Sequence, residues 1–231
     1  MTLLFAPPPP VLVPTSDGHD YPVRRIFCVG RNYAEHAREM GFDPDREPPF
    51  FFTKWAETVV LSDAAVPYPQ ATSDFQHEVE LVVAIGSSGR DIPVDAALDH
   101  VWGYAVGLDM TRRDLQMAAR AKGRPWDTGK NVEASSPIGT LHPRAALGDA
   151  ASGTIGLTVN GAVRQRADLS MLIWSVPEVV AFLSGLYRLE PGDLIYTGTP
   201  AGVAPVVAGD VLEASIAGLA PLRVTIAPPA P

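Results

Sequence analysis

Two glutamates, Glu78 and Glu80, stand in a strongly apolar run that extends from His77 to Gly86. The β-branched residues of this run and its terminal glycine predict a strand. Residues two apart in a strand point to the same face, so both carboxylates project together. Because like charges are costly to bury side by side, the pair indicates a hard divalent cation such as Mg²⁺, Mn²⁺ or Ca²⁺. A solvated strand face that carries two acids explains the spacing equally well.

A third carboxylate, Asp109, follows the apolar stretch Val101–Leu108, which is typical of a strand. An aspartate at such an end commonly caps the next helix, and Thr111 competes for that role. Alternatively, Asp109 joins Glu78 and Glu80 in a three-carboxylate metal site that is open to substrate and water. The sequence leaves both interpretations open.

His36 and Glu39 lie three residues apart in a stretch of helical composition, residues 33–40. On a helix this spacing puts both side chains on one face and within contact range. A carboxylate beside a histidine raises its basicity and fixes its tautomer, which is what a general base needs. Taken by itself, the pair is explained more simply as a surface ion pair on a charged helix.

Two lysines, Lys54 and Lys130, are either ordinary surface residues or balance negative charge that develops beside a metal site. The glycine-rich segment of residues 197–203 lacks the lysine of a P-loop and the spacing of a dinucleotide-binding loop. We interpret it as a tight loop whose backbone or hydroxyl groups approach a ligand. The chain contains neither a Gly-x-Ser-x-Gly motif nor a Cys/His cluster of the zinc type.

The composition favours one globular domain, since the chain has 231 residues, of which 46% are hydrophobic. Its formal net charge is −8 and its pI is about 5.0, which argues against nucleic acid and anionic membranes as partners. The single cysteine, Cys28, excludes a disulfide within the chain and is expected to be a buried, inert thiol. The N-terminus lacks the basic region of a signal peptide, so we expect the protein in the cytoplasm.

The elements that must position these residues are mostly strands. Residues 1–24 are rich in proline and are predicted to form an extended arm, followed by a single domain over residues 25–231. A hairpin is predicted around Asn160-Gly161, and helices are predicted over residues 111–121 and 175–186, the latter opening with a capping box. Because strands do not alternate regularly with helices, we expect a mainly-β core with a few helices, an α+β fold.

The order and spacing of these motifs resemble the fumarylacetoacetate hydrolase family over residues 25–227. Each matching segment is weakly diagnostic by itself, whereas the set is highly specific. The matching segments are Cys28-Val29-Gly30-Arg31-Asn32-Tyr33 with His36, His77-Glu78-Val79-Glu80-Leu81, Gly107-Leu108-Asp109-Met110-Thr111 with Arg113-Asp114, Lys130, and Thr197-Gly198-Thr199-Pro200.

This resemblance implies a mixed β-sandwich roll with a short lid helix, in a protein that is usually dimeric. It implies Mg²⁺ or Mn²⁺ on Glu78, Glu80 and Asp109, with Ca²⁺ as an alternative ion. The lid is expected over residues 31–49, a glycine-flanked helix followed by a long loop, where closure over substrate tends to occur.

The resemblance also implies His36, Glu39 and Lys130 as catalytic residues. Arg31 and Arg113 are expected to form bidentate pairs with the second carboxylate of a dicarboxylic substrate. The residues expected to bind substrate are Arg31, Tyr33, Lys54, Arg113, Gln116 and Thr199.

Within the family, residues 40–52 and 123–130 are similar to the fumarylpyruvate hydrolases of aromatic, gentisate-type catabolism. The expected reaction is hydrolysis of a C–C bond in a 2,4-dioxo acid (an acylpyruvate), with fumarylpyruvate giving fumarate and pyruvate. One departure is Lys54-Trp55, where relatives commonly have Lys-Pro. A proline would pre-set the backbone after the lysine, and tryptophan does not.

Two other functions fit the same motifs. The first is oxaloacetate decarboxylation or a keto–enol or double-bond isomerisation at the same metal site. The presence of both His36 and Glu39 favours water activation instead, because a decarboxylase needs no nucleophilic water. The second is a non-catalytic, metal-dependent binder of 2-oxo acids, against which the complete set of acid, base and lysine argues.

Overall fold

The computed structural model describes residues 3–39 and 47–229. Its strands are β1 (Val11–Pro14), β2 (Asp20–Val23), β3 (Arg25–Gly30), β4 (Phe50–Lys54), β5 (Val59–Leu61), β6 (Ala65–Pro67), β7 (Phe75–His77), β8 (Val79–Ile85), β9 (Val101–Leu108), β10 (Thr111–Arg112), β11 (Ser136–Ile138), β12 (His142–Pro143), β13 (Thr154–Val159), β14 (Ala162–Asp168), β15 (Asp193–Tyr196), β16 (Ala204–Pro205), β17 (Val211–Ile216) and β18 (Leu222–Ala227). Its α-helices are α1 (Ala34–Glu39), α2 (Arg113–Ala121), α3 (Asp127–Lys130), α4 (Arg144–Leu147) and α5 (Val176–Leu186), and short 3₁₀ segments span Ala56–Thr58, Val94–His100 and Leu169–Met171.

The largest sheet has the strand order β4-β3-β15-β8-β9-β11-β5, with β12 paired to β9. Its central strand β8 is buried on both faces, which explains the uninterrupted apolar run in the sequence. Leu81 and Val83 pack into a core against the five-stranded sheet β14-β13-β17-β18-β6. Val82 and Ala84 point the other way, into a second core. This arrangement of mainly β layers with a few helices confirms the predicted α+β fold.

The second core is covered by a hairpin of β1 and β2 from the proline-rich N-terminal region. Tyr21 is buried there, and its hydroxyl oxygen lies 2.8 and 3.0 Å from the carbonyl oxygens of Ile85 and Asp193, between which its one hydrogen is shared. Cys28 lies in the same core, and burial raises the pKa of its thiol well above the usual value, as expected for an inert cysteine. The division between an arm over residues 1–24 and a domain over 25–231 stays a prediction.

The run from His77 to Ile85 is not one strand, as the sequence suggested, because it divides at Glu78. Strand β7 ends at His77 and belongs to the small sheet β10-β7-β16, whereas β8 begins at Val79 in the large sheet. Glu78 therefore lies at the junction of two sheets. Helix α2 begins at Arg113 rather than at residue 111, because β10 pairs with β7.

Two local predictions are confirmed. The hairpin of β13 and β14 turns at Asn160 and Gly161, whose φ values of 52° and 78° are those of a type I′ turn. Helix α5 begins with the predicted capping box, in which the Glu178 carboxylate accepts from the Ser175 backbone N–H at 2.9 Å.

Helix α1 occupies most of the stretch predicted to be helical, residues 33–40. Residues 40–46 lie outside the described residues, and so does that part of the lid expected over residues 31–49. Movement of the lid stays a prediction. Among the residues described, no helix is long and apolar enough to span a membrane.

Candidate active site

Glu78, Glu80 and Asp109 form a buried group in which one carboxylate oxygen from each lies within 4.8 Å of the others. The pairing of β8 with β9 aligns them, because Val79 lies opposite Leu108. Glu78 and Asp109 are the next pair of residues along these strands, and the Asp109 N–H donates to the Glu78 carbonyl at 2.9 Å. Full burial excludes a solvated strand face, and three converging carboxylates are a ligand set for a hard divalent cation.

Glu80 is held by the glycine-rich segment of residues 197–203. The backbone N–H of Gly198 donates to Glu80 Oε2 at 2.7 Å. Gly198 has a φ of +101°, and a Cβ at this position would lie 2.7 Å from the Cβ of Asn32. Only glycine therefore fits this close approach. The predicted tight loop is thus a support for one of the acids.

Lys130 lies directly beside the acids. Its ammonium donates to Glu78 Oε2 and Asp109 Oδ2, both at 2.6 Å, and to Thr111 Oγ1 at 2.7 Å. Burial opposes the charge, but the two carboxylates more than offset this and raise the pKa of Lys130. Lys130 is held by the short helix α3, which packs closely on α2 because Gly129 has no side chain. The lysine is therefore a fixed positive charge in the site.

The charges and burial around Glu78 and Glu80 shift the pKa values of the two carboxyl groups in opposite directions. Burial favours the protonated form of Glu78, but Lys130 and Arg113 more than offset it, and the pKa of Glu78 is lowered. The pKa of Glu80 is raised well above its usual value by burial and by the negative charges of Asp109 and Glu78. A divalent cation between the three carboxylates would relieve this repulsion, so the residues present fit such an ion.

Helix α2 presents Arg113 and Gln116 to the site. The Arg113 guanidinium donates to Glu78 Oε1, to Gln76 Oε1 at 2.8 Å and to Gln116 Oε1 at 2.5 Å. Arg113 is therefore largely engaged in orienting Glu78. Because Gln116 accepts from Arg113 through its oxygen, its amide N–H groups remain for a ligand in the cavity.

His36 and Glu39 form the predicted pair on α1. His36 Nδ1 lies 3.2 Å from Glu39 Oε2, and both Glu39 oxygens accept from Gly202 N at 3.2 Å. Burial lowers the pKa of His36, against the opposing charges of Glu78 and Glu39. His36 is buried, whereas the Glu39 side chain is 37% exposed. The pair is thus not a simple surface ion pair.

These groups converge on one cavity. An aromatic wall closes one side, where the rings of Phe50 and Phe52 contact Trp126 at centroid distances of 5.4 and 5.9 Å. The Arg31 guanidinium lies over the Phe50 ring at 4.8 Å. The candidate residues that line the cavity are Arg31, His36, Glu78, Glu80, Arg113, Gln116, Lys130 and Thr199.

Comparison with known proteins identifies this arrangement. The family described as "Fumarylacetoacetate (FAA) hydrolase C-terminal" matches residues 25–227. The chain belongs to the fumarylacetoacetate hydrolase family. A fumarylpyruvate hydrolase from Ralstonia sp. is 48% identical over 186 residues, 80% of this chain and 96% of the relative. A mitochondrial oxaloacetate decarboxylase from Dictyostelium discoideum is 40% identical over 196 residues, 85% of this chain and 90% of the relative.

A crystal structure of this family shows the same fold with its metal. The fumarylpyruvate hydrolase from Pseudomonas aeruginosa, in complex with Mn²⁺ and pyruvate, is 52% identical to this chain. The TM-score is 0.96, and the match covers 98% of this chain and 99% of that one. The predicted sandwich-like fold and the predicted divalent metal cofactor are thereby confirmed.

Two residues expected to bind substrate lie outside the cavity of this family member. The Lys54 ammonium donates to Asp109 Oδ1 at 2.6 Å and to the carbonyls of Ser135 and Met110 at 2.7 and 3.2 Å. These bonds use the three hydrogens of the ammonium, so Lys54 positions Asp109 and has no hydrogen left to donate to a substrate. Tyr33 is buried beside the cavity and forms a β-bridge with Leu172.

Trp55, at the position where the resemblance leads one to expect proline, has a backbone conformation that proline could also adopt. Trp55 has φ −70° and ψ 149°, which is the conformation that proline imposes. Its N–H donates to Asn131 Oδ1 at 2.9 Å, a bond that proline could not form. Tryptophan at this position therefore does not force the segment after Lys54 away from a conformation that proline would allow.

Sequence reasoning missed two residues. Arg120 lines the cavity from the same helical face as Arg113 and Gln116, and their spacing of three and four residues could have revealed it. Gln165 is buried in the polar strand β14, where no pattern distinguishes it from its exposed neighbours.

Proposed function

We propose that this enzyme hydrolyses a C–C bond of a 2,4-dioxo acid, with fumarylpyruvate as substrate and fumarate and pyruvate as products. The observation that carries the proposal is the His36–Glu39 pair, because His36 lines the same cavity as Glu78, Glu80 and Lys130. The similarity to two fumarylpyruvate hydrolases, at 48% and 52% identity, supports it.

His36 is the proposed general base. A carboxylate only accepts hydrogen bonds, so His36 Nδ1 carries the hydrogen that faces Glu39, and Nε2 offers its lone pair. Since burial lowers the pKa of His36, the neutral form prevails near pH 7. Nε2 can then take a proton from water while the water oxygen attacks the distal carbonyl carbon, C4.

The attack produces a tetrahedral C4, which then breaks its bond to C3. The electron pair of this bond remains on the pyruvate half as an enolate, and C4 becomes the carboxyl carbon of fumarate. The Lys130 ammonium, fixed at the site with a raised pKa, stabilises the negative charge of the enolate. The proton taken up by His36 returns to C3, so one water is consumed and no other reactant is needed.

A divalent cation on Glu78, Glu80 and Asp109 would supply positive charge for the carboxylate and keto oxygens of the 2-oxo acid. We infer Mg²⁺ or Mn²⁺ as this ion because the three donors are carboxylates, with Ca²⁺ as the alternative. Arg31 is the proposed partner of the fumaryl carboxylate.

Three broader expectations accompany this function. We propose that the enzyme acts as a homodimer in the cytoplasm and that residues 25–231 form its catalytic domain, preceded by an arm over residues 1–24. Light scattering after size-exclusion chromatography tests the dimer, and a monomer at working concentration would contradict it.

Product analysis tests the reaction itself. The enzyme is incubated with fumarylpyruvate, acetylpyruvate and oxaloacetate, each with Mg²⁺, with Mn²⁺ and with EDTA. We expect fumarate and pyruvate from fumarylpyruvate, with the highest kcat/KM of the three, and loss of activity in EDTA.

Oxaloacetate decarboxylation is the second candidate, because Lys130 and a divalent cation held by the three acids would stabilise a pyruvate enolate without water activation. A relative of 40% identity carries that name. A higher kcat/KM for oxaloacetate than for fumarylpyruvate would establish it in place of hydrolysis.

A further inference from the structure

Gln165 connects the strand of the metal-ligand candidates to the glycine-rich loop of residues 197–203, and it does not line the cavity. Its side chain is buried, with the residue only 1% exposed. Its Oε1 accepts from Val79 N and faces His77 Nδ1, both at 3.0 Å. Its Nε2 donates to Thr199 Oγ1 and to the Pro200 carbonyl, both at 2.8 Å. One amide thus joins the strand between the two glutamates to the glycine-rich loop.

The orientation of this amide follows from its backbone partners. Val79 N can only donate a hydrogen bond, and the Pro200 carbonyl can only accept one. A flipped amide would set N–H against N–H at one end and oxygen against oxygen at the other. Nε2 therefore faces Thr199, and the Thr199 hydroxyl oxygen is an acceptor in this contact.

This contact determines what the Thr199 hydroxyl can do. A hydroxyl has one hydrogen, and the bond from Gln165 leaves that hydrogen to be donated elsewhere. Thr199 lines the cavity, and among residues 3–39 and 47–229 no acceptor takes up its hydrogen. The hydrogen is therefore available to an anionic ligand in the cavity.

We propose that Gln165 is a positioning residue that fixes Thr199 as a hydrogen-bond donor to the carboxylate of the bound 2-oxo acid. The inference rests on the proposed function for the identity of the ligand. Gln165 also supports the glycine-rich loop, in which Gly198 N donates to Glu80, a candidate metal ligand, and Gly202 N donates to Glu39, the partner of His36. A single buried amide thereby connects substrate binding with the geometry of the metal ligands and of the base.

The chemistry requires an amide at this position. An ionised glutamate in place of Gln165 would only accept, so the Thr199 hydroxyl would turn to donate to it and away from the cavity. Gln165→Glu therefore reverses the polarity of the contact with little change in size. Gln165→Met removes the contact, and Thr199→Val removes the donor itself.

The test measures binding of pyruvate and of oxalate by titration calorimetry to the Mn²⁺-loaded wild type, to Thr199→Val, Gln165→Met and Gln165→Glu, and to the Thr199→Val/Gln165→Met double variant. Hydrogen bonds to charged groups predict a loss of about tenfold to a hundredfold in affinity for Thr199→Val. Gln165→Glu should lose nearly as much, and the double variant should bind no more weakly than Thr199→Val. Mn²⁺ affinity should stay unchanged in Thr199→Val and in the remote control Thr225→Val.

A purely structural Gln165 would lower the thermal midpoint, but its loss would then add to that of Thr199→Val. Additive losses would overturn the proposal, and so would wild-type pyruvate affinity in Gln165→Glu at a pH high enough to ionise the introduced carboxyl group. If Gln165→Met does not fold, the near-isosteric Gln165→Glu decides the question. Failure of the wild type to bind pyruvate or oxalate would instead overturn the proposed function.

Discussion

The cavity has two sides that are built differently. The floor, which we define as Glu78, Glu80, Asp109, Lys54 and Lys130, is buried, and each lysine contacts three acceptors. The roof is the His36–Glu39 pair, joined by one contact of 3.2 Å and tied to the remainder of the enzyme through Gly202. A fixed floor in which each lysine neutralises carboxylates is suited to stabilising charge. The roof has fewer contacts and a partly exposed Glu39, so it can readjust around water and substrate.

This difference separates the two reactions considered for the site. Hydrolysis of the acylpyruvate and decarboxylation of oxaloacetate both pass through an enolate of pyruvate, which needs the floor. Hydrolysis also needs a base that activates water, which only the roof supplies. Damage to the floor should therefore abolish all activities, and damage to the roof should affect hydrolysis selectively.

The substitution Glu80→Gln tests the floor most directly, because it removes one anionic metal ligand. Substitution of residues that merely support a metal ligand costs about 10–100-fold, so loss of a ligand should weaken Mn²⁺ binding and lower kcat/KM by more than about 100-fold. The fold should persist without metal, because glutamine still accepts from Gly198 N and removes the repulsion that raises the pKa of Glu80. Calorimetry with Mn²⁺ and a melting curve in EDTA measure both. Unchanged stoichiometry and affinity would show that Glu80 is not a ligand.

The substitution His36→Ala tests the roof, because it removes the proposed general base. A positioned general base contributes about 10²–10⁴-fold, so kcat for fumarylpyruvate should fall by that factor while oxaloacetate decarboxylation falls much less. Glu35→Ala, on the exposed side of the same helix, is the matched control. Both substrates are assayed in all three proteins. Equal losses on the two substrates would remove the distinction between floor and roof.

The distal end of the cavity is probed with Arg120→Met. Arg120 lines the cavity with Arg31, and after burial its charge is one cause of the lowered pKa of Arg31. Two such guanidinium groups favour a carboxylate between them, and a hydrogen bond to a charged group contributes about 1.5–3 kcal/mol. KM for fumarylpyruvate should rise by about tenfold to a hundredfold, and KM for acetylpyruvate, which lacks this carboxylate, should not. Arg124→Met, outside this cavity, is the control, and equal shifts on both substrates would contradict the assignment.

The pH dependence of hydrolysis tests the partner of the base. His36 acts when deprotonated, and burial lowers its pKa from 6.5, so the acid limb of kcat/KM should lie below that value. Glu39 opposes this shift, so Glu39→Gln should move the acid limb to still lower pH and reduce the plateau by about tenfold. The profile for oxaloacetate should keep its acid limb. A shift of the hydrolysis limb to higher pH would show that Glu39 does not stabilise the imidazolium.

The sequence predicted most of the floor and the roof because their residues form short local patterns. Glu78 and Glu80 are two apart at the start of a strand, and Asp109 follows the strand that pairs with it. Lys54 was expected to bind substrate, since nothing local in the sequence indicates that the carbonyls of Ser135 and Met110 accept hydrogen bonds from its ammonium.

Contacts between different sheets could not be predicted from the sequence. Gln165 meets Val79 and Thr199 only after two sheets have packed together, and its strand shows a polar pattern that fits exposure. The break of the apolar run at Glu78 has the same origin, because pairing of β7 with β10 and β16 decides where one sheet ends. Long-range pairing leaves no periodic signal in one strand.

The smallest effect is expected at the edge of the floor, for Trp55→Pro. Trp55 already has φ −70°, so proline fits without strain and should stabilise by about 0.4–1 kcal/mol through the unfolded chain. Loss of the bond to Asn131 Oδ1 should cost about 0.5–1.5 kcal/mol, so the two effects nearly cancel. Chemical denaturation should show a net change in the free energy of unfolding of no more than about 1 kcal/mol, with unchanged kcat. Trp55→Ala keeps the N–H and removes an exposed ring, and it serves as the control. Because Asn131 follows Lys130, a large loss of kcat in Trp55→Pro but not in Trp55→Ala would show that this bond positions the catalytic lysine, and the floor would then extend to Trp55.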